Sequence, residues 1–515
     1  MLRARLGVVL ALFGCGEGET GEVTCDPPSA GDPQMLVERT AEVGVTFSHH
    51  PTTPLCHITD TIGGPGVCIF DFDGDADMDV FLPDRAPYAS ALYRNDGAVF
   101  TDVAAAVGVA TPGDAIGCLA FDYDGDGDQD LYATNTGNDT LFRNDAGVFT
   151  DVTASAGITE TGFSTAATAG DIDADGDLDL FVARVVDLST CPDECYLFPL
   201  ACERLENQLF VNQGGTFVEE AAARGLVEAD PTLVALFYDE DGDGDVDLYA
   251  GNDMGVAFPD RLYVNDGRGY FQDQGSARGY SAAGTDTMGV DVGDYNRDGR
   301  TDMVTTDFKD RPTRLYDCYS AETPCSFTTL PQESTEDVHW GGGFVDFDHD
   351  GDLDVFQAAG DVFDPDFIGS PNQLYRNRGD GNFDLFPAAA GSGLDRRAVY
   401  RGVAFGDLDG DLDVDVVVGA NGGTPAFLYN VGAAGHAVVV DLGPDGAGAR
   451  VTVRSGGRAV TEHAVIGGSY AGSNDPRLHF GIGSACEADV EVRYVGGGTS
   501  AGKARAGQVF RPLPR

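Results

Sequence analysis

Lysine is almost absent from this chain. Lys309 and Lys503 are the only two among 515 residues, and 85 acidic side chains face 31 basic ones, for a formal charge of −54. Nucleic acid and anionic membrane surfaces are bound through basic patches, so neither is expected as a partner. Tryptophan occurs once and histidine eight times. No G-x-S-x-G, H-E-x-x-H or P-loop stretch is present, so three common enzyme signatures are missing. The N-terminal apolar run in MLRARLGVVLALFGC is too short to span a bilayer. Arginines ahead of such a run read as a secretory signal over residues 1–15.

What remains is enough for a packed core, since 42% of residues are hydrophobic and 10% aromatic; a disordered acidic tail has far fewer. The Leu12-Phe13-Gly14-Cys15 ending resembles a bacterial lipobox, which makes Cys15 the expected lipidation site; the alternative is an ordinary signal peptide cut nearby. Residues 16–34 are rich in glycine, proline and acid, as a tether would be. Of eleven cysteines, ten remain after Cys15, an even number that suits an oxidising compartment. Cys318 and Cys325 flank a short polar loop and are expected to pair. Cys191, Cys195 and Cys202 share one insert, so at least one must pair elsewhere or stay free. Cys68 and Cys118 lie in apolar runs and read as buried thiols. Zinc in the insert is disfavoured by the lack of C-x-x-C and histidine.

Aspartate is the residue in excess, and it is patterned. Phe121 to Tyr132 reads FDYDGDGDQDLY, with five aspartates at alternate positions. Seven such loops begin at Asp71, Asp122, Asp171, Asp239, Asp294, Asp346 and Asp407, spaced 51, 49, 68, 55, 52 and 61 residues apart. Periods of about fifty mark repeat architectures. Counting from the first aspartate, oxygen ligands stand at positions 1, 3, 5 and 9. They are Asp71, Asp73, Asp75 and Asp79 in the first loop, and Asp122, Asp124, Asp126 and Asp130 in the second. The third has Asp171, Asp173, Asp175 and Asp179; the fourth has Asp239, Asp241, Asp243 and Asp247. The fifth has Asp294, Asn296, Asp298 and Asp302, the sixth Asp346, Asp348, Asp350 and Asp354, and the seventh Asp407, Asp409, Asp411 and Asp415.

Carboxylates this close repel one another, by about 1 kcal/mol per pair even in water. Hard oxygen donors in this number select Ca2+, and glycine at position 4 or 6 lets the chain turn tightly around it. An EF-hand would need a glutamate at position 12 and flanking helices. Position 12 here is Leu82, Ala133, Val182, Ala250, Thr305, Gln357 or Val418, so the loop must close at position 9. The expectation is up to seven Ca2+ ions, the fifth loop binding most weakly because Arg297 and Arg300 replace acids. The first and seventh loops have Ala76 and Leu412 at position 6 and rely on Gly74 and Gly410.

Runs such as VCIF and DLYATN flank the loops and read as strands. An apolar-Leu-aromatic-x-Asn run and a following Phe form a hairpin in most units, as in TLFRNDAGVFTD. Four short strands repeated seven times predict an all-β, seven-bladed β-propeller over residues 35–430. The last unit lacks its final strand after PAFLYNVG. LVERTAEVGVTF (36–47) is predicted to supply it and close the ring, which removes open sheet edges. Residues 431–515 read as a small C-terminal β domain, with strands in HAVVVDL, ARVTVRS, RAVTEHAVI, RLHFGIG and DVEVRYV.

The D-x-D-G-D-G-x-x-D loops preceded by G-x-x-F/V resemble the FG-GAP/VCBS repeats of integrin α-subunit propellers. The tail, with GAGARVTV, Gly468–Asp475 and LHFGIG, resembles the ASPIC/UnbV domain of the cartilage acidic protein-like family. Where that family continues with a tryptophan-proline strand, this chain has Arg493-Tyr494-Val495-Gly496. The resemblance implies a secreted or surface protein with Ca2+ loops on one face and partners on the other. Partner-facing loops would then be Asp187–Glu206, which carries Tyr196, Phe198 and Leu200, together with Asn252–Asp260, Asp361–Pro371 and Pro83–Ser90.

The reading is therefore a non-enzymatic module for an extracellular protein or glycan, secreted or held in the cell envelope, touching membrane only through an N-terminal lipid anchor. Two alternatives are a polysaccharide lyase or hydrolase on the propeller and a structural subunit of a surface assembly. For an enzyme, His339 beside Trp340 is the best candidate base. His49 and His50 are a candidate metal pair.

Overall fold

The computed structural model describes residues 24–512, apart from 29, 30, 33, 51–58, 60, 61, 111, 112, 160, 193–201, 282, 283, 319–323, 332–336 and 363–367. Cys15, the signal segment, Cys195, Tyr196, Phe198 and Leu200 lie outside the described residues. No helix among the described residues is long and apolar enough to cross a membrane.

Each acidic loop joins the first two strands of a four-stranded antiparallel sheet. The second sheet is typical: Ala115–Phe121, Asp130–Asn135, Thr140–Asn144 and Phe149–Asp151. Its first strand, AIGCLAF, is buried throughout, as an innermost strand covered on both faces must be. Its last strand, FTD, buries only the phenylalanine and shows its polar residues to solvent. Six further sheets repeat this order, and their first strands adjoin one another in a closed cycle that returns from Tyr400–Gly406 to Val67–Phe70. The result is a β-propeller.

Ring closure follows the sequence reading. Leu36–Glu38 pairs antiparallel with Ala426–Asn430, with Leu36 opposite Asn430, and supplies the outer strand of the last sheet. The N-terminus thus seals the C-terminal blade through main-chain hydrogen bonds rather than packing alone.

The C-terminal domain contains all five expected strands, in two sheets of four and three strands. Thr499–Arg505 and Gln508–Phe510 complete them; their mixed polar sequence carries no strong strand signal. Gly472–Ser473 leaves this domain and pairs parallel with Val67–Cys68, inside the propeller. The segment around it fills the central channel. Ile466 O accepts from Ala169 N (3.3 Å), Ser469 N donates to Val290 O (2.8 Å), Ala471 O accepts from Cys118 N (3.4 Å), and Asp475 N donates to Phe405 O (2.9 Å). With Val67–Cys68, five different blades hold one plug through the main chain. Glycines on the first strands make room for it: a Cβ on Gly117 would stand 2.9 Å from Ala471 O, and one on Gly341 2.7 Å from the Ser469 hydroxyl.

Disulfides correct part of the cysteine reading. Cys68 and Cys118 are not thiols but a disulfide between the first strands of adjacent blades, whose Cα atoms lie 6.0 Å apart, within bonding reach. Cys191 pairs within the insert, with Cys202. Cys318–Cys325 pairs as expected, and Cys25 reaches Cys486 across 461 residues, tying the N-terminal segment to the C-terminal domain.

Candidate functional site

The seven loops share one construction. The position-1 carboxylate caps the turn: Asp122 accepts backbone N–H groups from Gly125 (2.8 Å), Asp126 (3.2 Å) and Gly127 (2.9 Å). The position-9 carboxylate is buried and spans two strands. Asp130 accepts from Tyr123 N at 2.9 Å and from Asn144 N at 2.7 Å. The backbone N–H at the end of the third strand reaches the position-9 aspartate in all seven blades.

That strand end explains the recurring Asn of the hairpin motif, of which the sequence shows only the repetition. The Asn144 side chain donates to Gln129 O in its own loop (3.0 Å) and to Phe72 O in the preceding blade's loop (2.8 Å). Asn95, Asn212, Asn265, Asn377 and Asn430 likewise reach position 2 of the loop before. Six of the seven junctions between neighbouring loops are stitched in this way. In the fifth blade Cys318 takes the asparagine's place and its sulfur is bonded to Cys325 of the same blade, so the asparagine stitch is not made there.

Against this scaffold, positions 1, 3 and 9 converge. Ligand oxygens of Asp71, Asp73 and Asp79 lie within 4.8 Å of one another, as do those of Asp122, Asp124 and Asp130, and of Asp171, Asp173 and Asp179. In the fourth loop it is positions 1, 3 and 5, Asp239, Asp241 and Asp243, that converge. Position 3 carries the fit test for a cation. One oxygen each of Asp73, Asp124, Asp173 and Asp409 is buried without a hydrogen-bond partner, an arrangement costly for a carboxylate unless a cation faces it. Position 7 does other work: Asp77 and Asp128 accept N–H groups from Gly97 and Ala146 in the hairpin turn. Where glycine is missing, the turn keeps its shape at a cost. Ala76 and Leu412 both adopt φ of 74°, which is strained by about 1 kcal/mol for an L-residue.

The electrostatics match. Burial first, then neighbouring carboxylates, push Asp79, Asp130 and Asp179 up to about 8, against the opposing effect of their backbone hydrogen bonds. A divalent ion at the convergence point would supply the compensating charge, held by positions 1, 3, 5 and 9.

The fifth loop departs as its sequence suggests. Arg297 turns away and pairs with Asp352 of the sixth loop at 2.9 Å, while Arg300 lies 3.9 Å from Asp298. Asp298 thus has a cation of its own chain beside it. In millimolar Ca2+, Asp126→Ala is expected to lower the melting temperature more than Asp298→Ala. Equal shifts would remove the distinction between the loops.

The candidate histidines do not form a site. His339 is 1% exposed on its first strand, and burial pushes it down to about 4. His49 is buried and pushed down to about 3, whereas the neighbouring His50 turns to Asp84 at 2.7 Å and stacks on Tyr88. The pair therefore points to two environments.

Comparison with known proteins agrees with this construction. A family model described as FG-GAP-like repeat matches residues 71–133, 122–182, 239–305 and 346–418, and one described as ASPIC and UnbV matches 441–504. Cartilage acidic protein 1 of Mus musculus is 28% identical over 264 residues, covering 49% of this chain and 40% of that protein. The Homo sapiens protein is 26% identical over the same length, 39% of its own. The match thus spans well under half of either relative. Among solved structures, BBS1N in complex with ARL6DN has a TM-score of 0.42 at 10% identity, covering 77% of this chain and 98% of that one. An Agrocybe aegerita lectin that recognises non-reducing terminal N-acetylglucosamine has a TM-score of 0.39 at 15% identity, covering 70% and 87%. At TM-scores this low, neither structure bears on what this chain binds.

Proposed function

Because the chain belongs to the family of FG-GAP-like repeat proteins that carry an ASPIC and UnbV domain, we propose that it is a calcium-loaded, non-enzymatic interaction module of the cell envelope, binding an extracellular protein or glycan. The calcium reading rests on the unpartnered position-3 oxygens beside converging carboxylates. The four disulfides among the described residues support an oxidising compartment.

The face that meets the partner follows from occupancy. The C-terminal domain sits on the acidic-loop face and its plug fills the channel. The opposite face carries the loops between second and third strands. There Val256 is 80%, Ile368 61% and Tyr88 45% exposed, on three different blades, and the Asp187–Glu206 insert is braced by Cys191–Cys202 and a short ladder.

The test is a screen of the full chain in millimolar Ca2+ against glycan and extracellular-protein arrays. Binding lost in the Tyr88→Ser/Val256→Ser/Ile368→Ser variant, with melting temperature unchanged, supports the reading. Turnover of an arrayed glycan, or binding indifferent to these substitutions, contradicts it.

A further inference from the structure

The C-terminal domain grips the propeller by the backbone of the acidic loops. Gly496 N donates to Gly244 O, at position 6 of the fourth loop (3.1 Å), and the Arg450 guanidinium donates to Gly299 O, at position 6 of the fifth. In the sixth loop, Gly483 N donates to His349 O (2.9 Å) and Arg458 to Asp350 O (2.6 Å). These carbonyls belong to the tight turns that would wrap the ions. Their directions are set by the turn, and the turn is held against its own carboxylate repulsion only when that charge is compensated. The same domain delivers the plug, so anything that loosens its grip also unseats Gly467–Asp475 from the channel.

We propose that cation occupancy of the fourth and sixth loops controls docking of the C-terminal domain and, through it, the seating of the plug; this rests on the calcium reading above. Loss of the ions splays the turns and scatters the carbonyl array. The undocked domain stays joined to the propeller through residues 431–435 of the chain and also through the Cys25–Cys486 bond, so opening is reversible and exposes the small-residue wall of the channel on the loop face. The molecule carries its own reporter. Trp340, the single tryptophan, is fully buried and packs edge-on against Tyr470 of the plug, ring centroids 4.9 Å apart.

The test uses the full chain with disulfides intact. Amide exchange at Ser469 and Asp475, together with Trp340 emission, is followed in millimolar Ca2+ and after chelation, and bound ions are counted by native mass spectrometry. The proposal expects chelation to speed exchange at these two amides by roughly tenfold or more and to shift Trp340 emission, before first-strand amides such as Leu119 lose protection. In millimolar Ca2+, Asp350→Ala speeds plug exchange several-fold. Asp126→Ala, in the second loop to which none of these contacts belongs, leaves it unchanged. Ions that bind and leave while plug exchange and emission stay constant overturn the proposal but not the calcium reading. Equal behaviour of the two variants overturns it as well. Absence of bound ions overturns both.

Discussion

In a chelator, this protein is expected to melt at a higher temperature at pH 5 than at pH 8.5. Asp79, Asp130 and Asp179 sit at about 8 when folded, against about 3.9 in an unfolded chain. Between those values the folded state keeps protons that the unfolded state releases. Stability from these groups is therefore fully present below the unfolded value and is lost as pH rises through about 8. Asp302, pushed up to about 9 by burial, adds in the same direction. Asp475 has the opposite sign: burial raises it, but Arg477 and His479 outweigh burial and hold it below the ordinary range. Its contribution is lost only in stronger acid, outside this window. The buried His49 and His339, pushed down to about 3 and about 4, oppose the trend below the unfolded value of about 6.5, but over a narrower range than the carboxylates. With several loops acting together, the drop from pH 5 to pH 8.5 is on the order of 10 °C. Millimolar Ca2+ reverses the trend, because the ion competes with the proton for the same oxygens and stabilises by mass action, most strongly at high pH. A melting temperature in chelator that rises toward pH 8.5 would show that these carboxylates are not the buried, mutually repelling groups described.

The second large effect separates the two jobs that aspartate performs in one loop. Asp130→Ala removes the acceptor of two buried backbone N–H groups, Tyr123 and Asn144. Each orphaned donor costs about 1–3 kcal/mol, so this variant is destabilised with or without Ca2+. Asp126→Ala removes a position-5 ligand whose one protein contact is the N–H of Asp128. It loses stability only in Ca2+; in chelator it is near neutral, since one repelling charge is gone. The four melting temperatures form a cycle. If Asp130→Ala became harmless in chelator, the position-9 residue would be a ligand alone and not the strand staple. If Asp126→Ala were equally damaging in both buffers, position 5 would be structural.

Most of this architecture could be read from the chain because it repeats. Asp-rich loops with glycine in register, the four-strand spacing and the missing final strand all pointed to a propeller closed by Leu36–Glu38. The dependence on position 9 followed from the absence of any ligand at position 12. Three features were hidden. The Cys68–Cys118 bond was unreadable because both cysteines look like ordinary core residues on their own strands; only the juxtaposition of adjacent blades pairs them. The asparagine stitch was visible as a recurring Asn, but its partner lies one blade back, so the sequence shows the residue and not the contact. The plug comes from Gly467–Asp475, about 350 residues from Cys118, which it touches. Its sequence trace is the small residues at Gly117, Gly341 and Gly402 in strands that otherwise call for branched side chains.

The central claim is that the acidic loops are cation sites that hold the propeller together. The most direct test is to count the metal: the full chain, exchanged into millimolar Ca2+ and then desalted, is weighed under native conditions and after chelation. Six Ca2+ ions are expected to be retained, with a seventh appearing only at higher Ca2+ because Arg300 stands beside Asp298 and Asn296 replaces an aspartate in the fifth loop, and the melting temperature is expected to fall as the ions leave. A mass equal to the bare chain in both buffers, with no change in melting temperature, would contradict it.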